Sequence, residues 1–325
     1  MGSLKSKNSF DKYYIIQKYL LSDYLEEELK NLDDYLSKLN FKFKIISAEH
    51  IPEIKQEIKQ LYFEEKITKT IYNYVSKYFE FNNHKNVLNE RYIIIVAIPQ
   101  NISIVTFKIK GKKFDLIIPP TYIYKANQDR ILKILLKIFK DDKKIEYAHL
   151  PKKLIAVRSG LAKYGRNNIC YVEGMGSFTR LESYYIDFPL NIDNWDKQSI
   201  MEECKNCFLC LNACPNNCIR EDEFVLRAQN CLTYFNENLN DFPDWIDIKS
   251  HNALVGCMIC QKVCPINKKY KKDKVEILSF SEKESEIIIQ GLEKNSLPIN
   301  LNNKLKSINM DEYLPVLSRN IKALM

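Results

Sequence analysis

Nine of the ten cysteines in this chain of 325 residues lie in one segment, which begins at Cys204 and ends at Cys264, and seven of the nine form two ferredoxin-type runs. The first run, CKNCFLCLNACP, has the spacing C-x2-C-x2-C-x3-C-P. Three thiolates at three-residue intervals can reach one iron–sulfur cube, whereas the cysteine before the proline is carried toward a neighbouring cube. The run therefore predicts two [4Fe-4S] clusters, because a single cube would leave its last cysteine unused.

The second run, GCMICQKVCP, has the spacing C-x2-C-x3-C-P and is one cysteine short of the first. Cys231 lies between the two runs and would complete eight ligands for two cubes. Because the last cysteine of each run crosses to the other cube in bacterial ferredoxins, we expect two sets of ligands. The first set is Cys204, Cys207, Cys210 and Cys264, and the second is Cys214, Cys231, Cys257 and Cys260.

A rival interpretation of repeated Cys-x2-Cys motifs is a zinc site or a disulfide framework. Neither of these needs an x2-x2-x3 rhythm with two Cys-Pro endings, so the pattern favours clusters. The two remaining cysteines, Cys170 and Cys218, are predicted to be small buried side chains with no ligand role.

The rest of the chain alternates between helical and strand patterns. The predicted strands are Phe41–Ser47, Tyr92–Ile98, Thr106–Lys110 and Lys113–Ile118, the last two forming a hairpin at Gly111. One or two helices are predicted within residues 10–40, and a further helical block runs from Pro52 through Phe79. Another helix is predicted to begin after an N-cap at Asn127 or Asp129 and to end at Lys140.

These patterns predict an α+β fold, in which a mixed sheet with flanking helices precedes a helical, bacterial-ferredoxin-like two-cluster domain. The expected units are a helical extension over residues 1–34, an α+β domain over 35–199, a cluster domain over 200–272 and a C-terminal helical tail over 273–325. Within the tail, Ser281 and Glu284 have the spacing of a capping box.

Composition gives few further constraints. The longest aliphatic runs fall far below the roughly 20 residues that cross a bilayer, and the N-terminus lacks a signal-peptide core. Cysteine-rich ferredoxin spacing without a secretory signal predicts a cytoplasmic protein and no membrane partner. The formal net charge of +8 is partly local, in the run NKKYKKDK from Asn267 to Lys274. This run is either a solvated basic segment or a phosphate-binding patch, and both interpretations stay open.

Four of the eight glycines, at positions 160, 165, 174 and 176, lie in the segment RSGLAKYGRNNICYVEGMGSF. Glycine allows a close approach of the backbone to a ligand or a turn with positive φ, and both uses remain open here. The segment is neither a dinucleotide fingerprint nor a P-loop, because it lacks both glycine patterns.

The glycine segment and the cysteine pattern together resemble the epoxyqueuosine reductase family, which joins a cobalamin-binding α+β domain to a two-cluster ferredoxin domain and is distantly related to reductive dehalogenases. FKFKIISAE and YIIIVAIP are similar to the family's first two strands, and the glycine segment is similar to AGLGWIGKN...YGSW, which lies along the corrinoid. The eight predicted ligand cysteines match one for one, and the resemblance covers roughly residues 35–270.

This resemblance implies a cobalamin held against the glycine segment. The implied contacts are Gly160, Leu161, Lys163, Tyr164, Gly165, Arg166, Asn167, Gly176 and Ser177. Family members carry an aspartate as proton donor shortly before this segment, but the corresponding stretch here is Tyr147-Ala148-His149-Leu150. Tyr147, His149 and the neighbouring Glu146 are then the candidate proton donors.

The implied function is an iron–sulfur oxidoreductase that passes electrons through two clusters to a corrinoid and then to a substrate. A low-potential protein such as ferredoxin or flavodoxin would be the electron donor. The substrate could be a small molecule, a tRNA or a corrinoid protein. The alternative is an electron-transfer module that reduces a partner protein and has no substrate chemistry of its own.

Overall fold

The main sheet is antiparallel throughout and is buried between two layers of helices. The computed structural model describes residues 24–81, 92–140, 145–188, 190–222, 224–270 and 274–325. Four strands pair in the order β1-β2-β8-β5. Their bounds are β1 Lys42–Ser47, β2 Tyr92–Pro99, β5 Ile145–Tyr147 and β8 Thr179–Ile186.

Strand β2 is the continuous apolar run of the sequence, and it lies at the centre of this sheet because both of its faces are covered. Ile93 and Ile95 point into one hydrophobic core, whereas Ile94 and Val96 point into another, since successive side chains alternate between the faces of a strand. Helices cover both faces, so every position of the run is buried. The first face carries α2 Ile51–Phe63 and α5 Lys152–Arg158, and the second carries helix α1 over residues 24–38 and α4 Lys125–Phe139.

A second sheet contains the predicted hairpin. Strands β3 Ile102–Ile109 and β4 Lys112–Ile118 are antiparallel, and Gly111 takes a φ of +73° in the turn between them. Strand β9, Lys274–Phe280, pairs with β3 in parallel. The predicted α+β class with a mixed sheet and flanking helices is confirmed, and the parallel pairing belongs to this second sheet.

The C-terminal segment, predicted as a helical tail, contributes β9 as well as three helices. Helices α10 Glu282–Gln290, α11 Ile299–Ser307 and α12 Leu314–Ala323 pack on the β3–β4 hairpin and form a third core. Ser281 and Glu284 form the predicted capping box at the start of α10. Leu254 and Val255 enter the same core from the cysteine-rich segment, so the C-terminal segment joins both parts of the molecule.

Two helix predictions need correction. The segment from Pro52 to Phe79 is not one block, because α2 ends at Phe63 and Thr68 caps a separate helix, α3 Lys69–Tyr78. Neither Asn127 nor Asp129 caps α4, which begins at Lys125. Instead the side-chain oxygen of Asn309 accepts hydrogen bonds from the backbone N–H groups of Tyr124 at 2.7 Å and Lys125 at 3.2 Å. A tertiary contact thus satisfies two backbone N–H groups at the start of the helix.

The part of the predicted N-terminal helices that precedes residue 24 lies outside the described residues. Across the parts of the chain that the structure describes, no helix has the length and apolarity to cross a bilayer.

Candidate functional site

The cysteine-rich segment, residues 203–267 and hereafter the cluster segment, is built from loops and very short helices. Helices α6 Leu209–Asn212 and α8 Ile259–Lys262 follow equivalent cysteines in the two runs. Helix α7, Leu232–Glu237, begins directly after Cys231, and α9, Pro265–Lys269, directly after Cys264. Pro265 suits the first turn of α9, since that turn has no acceptor for its N–H.

The cysteines fall into two groups. Cys204, Cys207 and Cys264 are the charged neighbours of Cys210, whose thiol pKa is raised to about 11 by burial and then by these cysteines. Cys257 and Cys231 are the main charged neighbours of Cys260, with a smaller contribution from Cys210 of the first group, and Cys231 and Cys214 are neighbours of Cys257. The two groups resemble the two ligand sets expected from the spacing, and they adjoin at Cys210 and Cys260.

The arrangement suits cubes better than a single ion. In the described ranges no three His, Cys, Asp or Glu side chains are arranged to hold one metal ion. A cube, by contrast, takes its four thiolates on separate irons and so keeps their sulfurs apart. Buried thiolates that repel one another need such a positive centre to be stable as thiolates.

Arg166 ties the glycine segment to the first group of cysteines. Its guanidinium donates to the backbone carbonyls of Cys207 at 3.0 Å, Cys204 at 2.7 Å and Lys205 at 3.2 Å. It also lies over the ring of Phe208 at 4.6 Å. The side chain is therefore occupied with shaping the first cysteine loop.

Asn167 and Tyr171 reach the cysteines from the same side. Asn167 is 2% exposed, donates to the hydroxyl of Tyr171 at 3.0 Å and contacts the thiol of Cys260. The hydroxyl of Tyr171 contacts Cys264, and burial raises its pKa. Asn167 lies on the turn between strands β6 Lys163–Tyr164 and β7 Cys170–Tyr171, and Tyr171 is the last residue of β7. This hairpin therefore backs the cluster segment.

Two glycines permit this close packing. A Cβ on Gly165 would lie 2.5 Å from the ring of Tyr171. Gly176 has a φ of +61°, and a Cβ there would lie 2.5 Å from the side-chain oxygen of Asn267. The same Asn267 oxygen accepts from the N–H of Ser177 at 2.9 Å, and the hydroxyl of Ser177 donates to Gln261 at 2.8 Å. The sequence left two uses of these glycines open, close approach to a ligand and tight turns. In the structure the glycine segment packs closely against the cluster segment.

The residues expected to contact a corrinoid do not fit that role in this structure. Arg166, Asn167, Gly165, Gly176 and Ser177 are engaged as described above. Of the others, Leu161 lies in the hydrophobic core that contains Ile93 and Ile95, and the ring centroid of Tyr164 lies 5.0 Å from that of Phe224. Lys163 is exposed, and Gly160 turns the chain after α5 with a φ of +72°. None of the nine lines the cleft at Glu57 and Arg158, the cleft at Tyr147 and Arg180 or the cleft at Tyr35 and Arg130.

A cleft of about 350 Å³, the tyrosine cleft, lies beside these elements. Tyr147 and His149 line it, as two of the three predicted proton donors, whereas Glu146 is not among the lining residues. Adjacent residues of a strand point to opposite faces, which explains the separation of Glu146 from Tyr147. The lining residues are Tyr78, Thr121, Tyr122, Tyr124, Gln128, Tyr147, His149, Arg180, Glu237, Glu312 and Tyr313.

Tyr122 connects the cleft to the second group of cysteines. Its hydroxyl donates to Glu237, at the end of the helix that begins after Cys231. The same hydroxyl is 2.3 Å from where a Cβ of Gly256 would lie, so only glycine fits immediately before Cys257. Burial raises the pKa of Tyr122 well above its usual value, with further contributions from Glu237 and Cys231.

A buried charge network lies behind Tyr147. Lys152 donates to the hydroxyl of Tyr147 and to Glu182 at 2.8 Å, and Arg180 donates to Glu182 at 2.6 Å. The side chain of Glu182 is fully buried. One carboxylate thus serves two cations, and burial, followed by the effect of Arg180, lowers the pKa of Lys152 to about 8 despite its pairing with Glu182. Nothing in the sequence pattern indicated Lys152, Arg180, Glu182 or Tyr122, since distant elements bring them together.

The basic run is only partly described. Asn267 points inward, whereas Lys268 and Lys269 are exposed, and residues 271–273 lie outside the described ranges. A phosphate contact by this run stays a prediction.

Arg166→Ala is expected to loosen the first cysteine loop. The substitution removes charge-assisted bonds to three carbonyls of this loop, at a cost of about 2 kcal/mol, so iron should leave the reconstituted protein about 30-fold faster. The measurement is the rate of iron capture by an added chelator. Lys205→Ala is the control, because Lys205 lies in the same loop and its side chain is 70% exposed. Equal rates for the two variants would contradict the role of Arg166.

The described architecture defines an α+β domain joined to a ferredoxin-like cluster domain. Residues 203–267 match the family model described as a 4Fe-4S double cluster binding domain. The chain is thus an iron–sulfur protein by its cluster domain.

Over a longer stretch the chain resembles the epoxyqueuosine reductases, as the sequence predicted. The epoxyqueuosine reductase of Cyclobacterium marinum is 28% identical over 273 residues, which cover 83% of this chain and 79% of that protein. The epoxyqueuosine reductase of Leadbetterella byssophila is 32% identical over 124 residues, which cover 38% of this chain and 39% of the relative.

Solved structures show the same fold. The epoxyqueuosine reductase from Streptococcus thermophilus superposes with a TM-score of 0.62 at 17% identity, over 90% of this chain and 80% of that chain. An epoxyqueuosine reductase bound to an epoxyqueuosine-modified stem loop of tyrosine tRNA has a TM-score of 0.64 at 18% identity, over 92% of this chain and 81% of that chain.

Proposed function

We propose that this protein is an iron–sulfur oxidoreductase that carries single electrons through two [4Fe-4S] clusters to a group bound in the tyrosine cleft. The observation that carries the proposal is Tyr122, which lines the cleft and contacts Gly256 and Glu237 beside the second group of cysteines. This contact leaves no intervening layer of structure between the cleft wall and the backbone of the cluster segment.

The proposed ligands follow the two cysteine groups. Cys204, Cys207, Cys210 and Cys264 hold the first cluster, and Cys214, Cys231, Cys257 and Cys260 hold the second. When bound, such clusters supply single electrons at low potential. The second cluster is the one beside Tyr122 and the cleft.

We further propose that the cleft takes a nucleoside-sized group. Its volume of about 350 Å³ is at the lower end of the range for small-molecule sites. Tyrosine rings with Arg180 and His149 suit a planar polar ligand, through stacking and hydrogen bonds. The relatives' name supports an epoxide-bearing nucleoside in tRNA as the first substrate to test. Conversion of an epoxide to an alkene consumes two electrons and two protons and releases water, and two one-electron clusters match that electron count.

Tyr147 is the proposed proton donor in place of the family's aspartate. Its ring lines the cleft, and its hydroxyl is in contact with the ammonium group of Lys152. A tyrosine whose pKa is raised by burial keeps its proton until the substrate accumulates negative charge. Lys152 can then return a proton to Tyr147, because its own pKa of about 8 lies near neutrality.

No step is assigned to cobalamin. The family resemblance implies this cofactor, but Arg166, Asn167 and Ser177, three of the polar residues expected to hold it, are hydrogen-bonded to protein groups. Gel filtration of the anaerobically reconstituted protein with hydroxocobalamin shows whether a corrinoid co-elutes. Co-elution of one corrinoid per chain would show that the protein binds this cofactor despite those contacts.

Reoxidation of pre-reduced protein tests the proposed function. The protein is reduced with dithionite, freed of excess reductant and mixed anaerobically with an epoxyqueuosine-modified tRNA stem loop. The cluster absorbance is expected to return within a single turnover, with loss of the epoxide. An unmodified stem loop is the control. Clusters that stay reduced with both stem loops would refute this substrate.

The rate in this assay is expected to fall as pH rises through about 8, because Lys152 then loses the proton that Tyr147 needs. Lys152→Met should remove this pH dependence, and Tyr147→Phe should lower the rate about 100-fold. Lys153→Met is the control, since Lys153 is the adjacent residue and its ammonium group bonds an exposed carbonyl, that of Asn168. A pH profile that Lys152→Met leaves unchanged would exclude Lys152 as the source of the proton.

The alternative function is electron transfer to a partner protein. The favouring observation is the edge of the first cysteine loop, where Leu209, between Cys207 and Cys210, is 49% exposed. A ferredoxin or flavodoxin in the cytoplasm is the proposed donor at this edge, because reduced thiolate clusters persist in a reducing compartment. The alternative would be favoured if the reduced protein is not reoxidised by the modified stem loop but transfers electrons to a co-purifying partner protein.

A further inference from the structure

Cys218 is a ninth thiol of the cluster segment that the cysteine spacing leaves unused. Its sulfur lies 3.3 Å from that of Cys214 and is in hydrogen-bond contact with that of Cys231. The side chain is 2% exposed. The prediction that Cys218 is buried is confirmed, but its neighbours are two of the proposed ligands of the second cluster.

Contact with Cys214 argues against Cys218 as an additional ligand. Four thiolates on one cube bind four different irons, so their sulfurs are held apart. Two sulfurs in contact cannot both occupy such positions. The second group already has four cysteines without Cys218, and Cys218 therefore lies beside the ligands.

The surroundings decide which sulfur donates. Cys214 receives backbone hydrogen bonds from Asn216, Cys218 and Ile219 in addition to the Cys218 thiol. Such a set of donors suits a thiolate ligand, which only accepts. Cys218 has its contacts with Cys214 and Cys231, so its S–H is directed at ligand sulfur.

We propose that Cys218 is a non-ligating thiol that donates an S–H···S hydrogen bond to the sulfur of Cys214, a ligand of the second cluster, and raises the reduction potential of that cluster. Hydrogen bonds to sulfur stabilise the more negative, reduced state of an iron–sulfur cluster. The inference rests on the proposed two-cluster function. A higher reduction potential at the second cluster would direct electrons from the exposed first cysteine loop toward the second cluster, beside the tyrosine cleft.

Redox titration followed by EPR tests this role, in wild type and in Cys218→Ala. We expect both proteins to hold about eight irons, and one cluster of the variant to titrate at a more negative potential while the other is unmoved. Cys218→Ser should restore part of the shift, since a hydroxyl can also donate to sulfur. Cys170→Ala is the matched control, because Cys170 is 3% exposed and bonds the carbonyl of Lys153 at 3.4 Å.

Two results would overturn the inference. Loss of about four irons from both Cys218→Ala and Cys218→Ser would make Cys218 a ligand. Unchanged potentials in Cys218→Ala with full iron would show that the S–H bond has no electrostatic effect on the cluster. Wild-type protein that binds no clusters would instead refute the two-cluster proposal itself, so the failures are distinguishable.

Discussion

Cys231→Ala is expected to leave about four of about eight irons on the reconstituted protein. Cys231 is the isolated cysteine that completes the second set, and its neighbours are Cys214, Cys218 and Cys257. Removing one thiolate exposes an iron of that cube to solvent, and the cube is then lost on gel filtration. The measurement is iron and sulfide per chain after anaerobic reconstitution, with EPR to show that one cluster remains.

Cys218 complicates this experiment, since its thiol is already beside Cys231. The double variant Cys218→Ala, Cys231→Ala removes any substitute ligand and should give the same value of about four irons. Cys170→Ala, at a thiol that bonds the carbonyl of Lys153 and belongs to neither group, should keep about eight. Full iron in the double variant would show that Cys231 is not a ligand.

Glu182→Gln is expected to destabilise the folded protein by about 3–5 kcal/mol. The side chain of Glu182 is fully buried between Lys152 at 2.8 Å and Arg180 at 2.6 Å. A neutral amide of the same size leaves two cations facing each other without an anion, and the cost is that of uncompensated buried charge. The measurement is the urea unfolding curve, followed by tryptophan fluorescence at fixed cluster content.

Glu173→Gln is the matched control for the same chemical change at the surface. The side chain of Glu173 is 92% exposed and lies 3.5 Å from Lys42, and such pairs contribute less than about 1 kcal/mol. If the two variants unfold at the same urea concentration, Glu182 is not the anchor of this network.

The parts of the fold that could be predicted are those governed by local pattern. Strand β2 was identifiable because its apolar run is buried on both faces, and the capping box at Ser281 because both of its residues are close in sequence. Strand β9 was missed because its side chains are largely exposed and show no alternation. The start of α4 was misplaced because its first N–H groups bond Asn309, far away in the sequence.

The functional site, like the fold, could be predicted only where local sequence spacing determines it. The spacing of the cysteines predicted the two groups, because a cube fixes how far apart its ligands lie along the chain. The residues around them were not predictable, because Arg166 acts on carbonyls of the cluster segment and Lys152, on helix α5, pairs with Glu182 of strand β8. The family resemblance assigned the glycine segment to a corrinoid, whereas its side chains hold the cluster segment in place.

Iron and acid-labile sulfide analysis of the anaerobically reconstituted wild-type protein, together with EPR of its reduced form, tests the central claim most directly. The two-cluster proposal predicts about eight irons and about eight sulfides per chain, with a signal that reports two neighbouring reduced clusters. Zinc without sulfide, or a single cluster of about four irons, would contradict it.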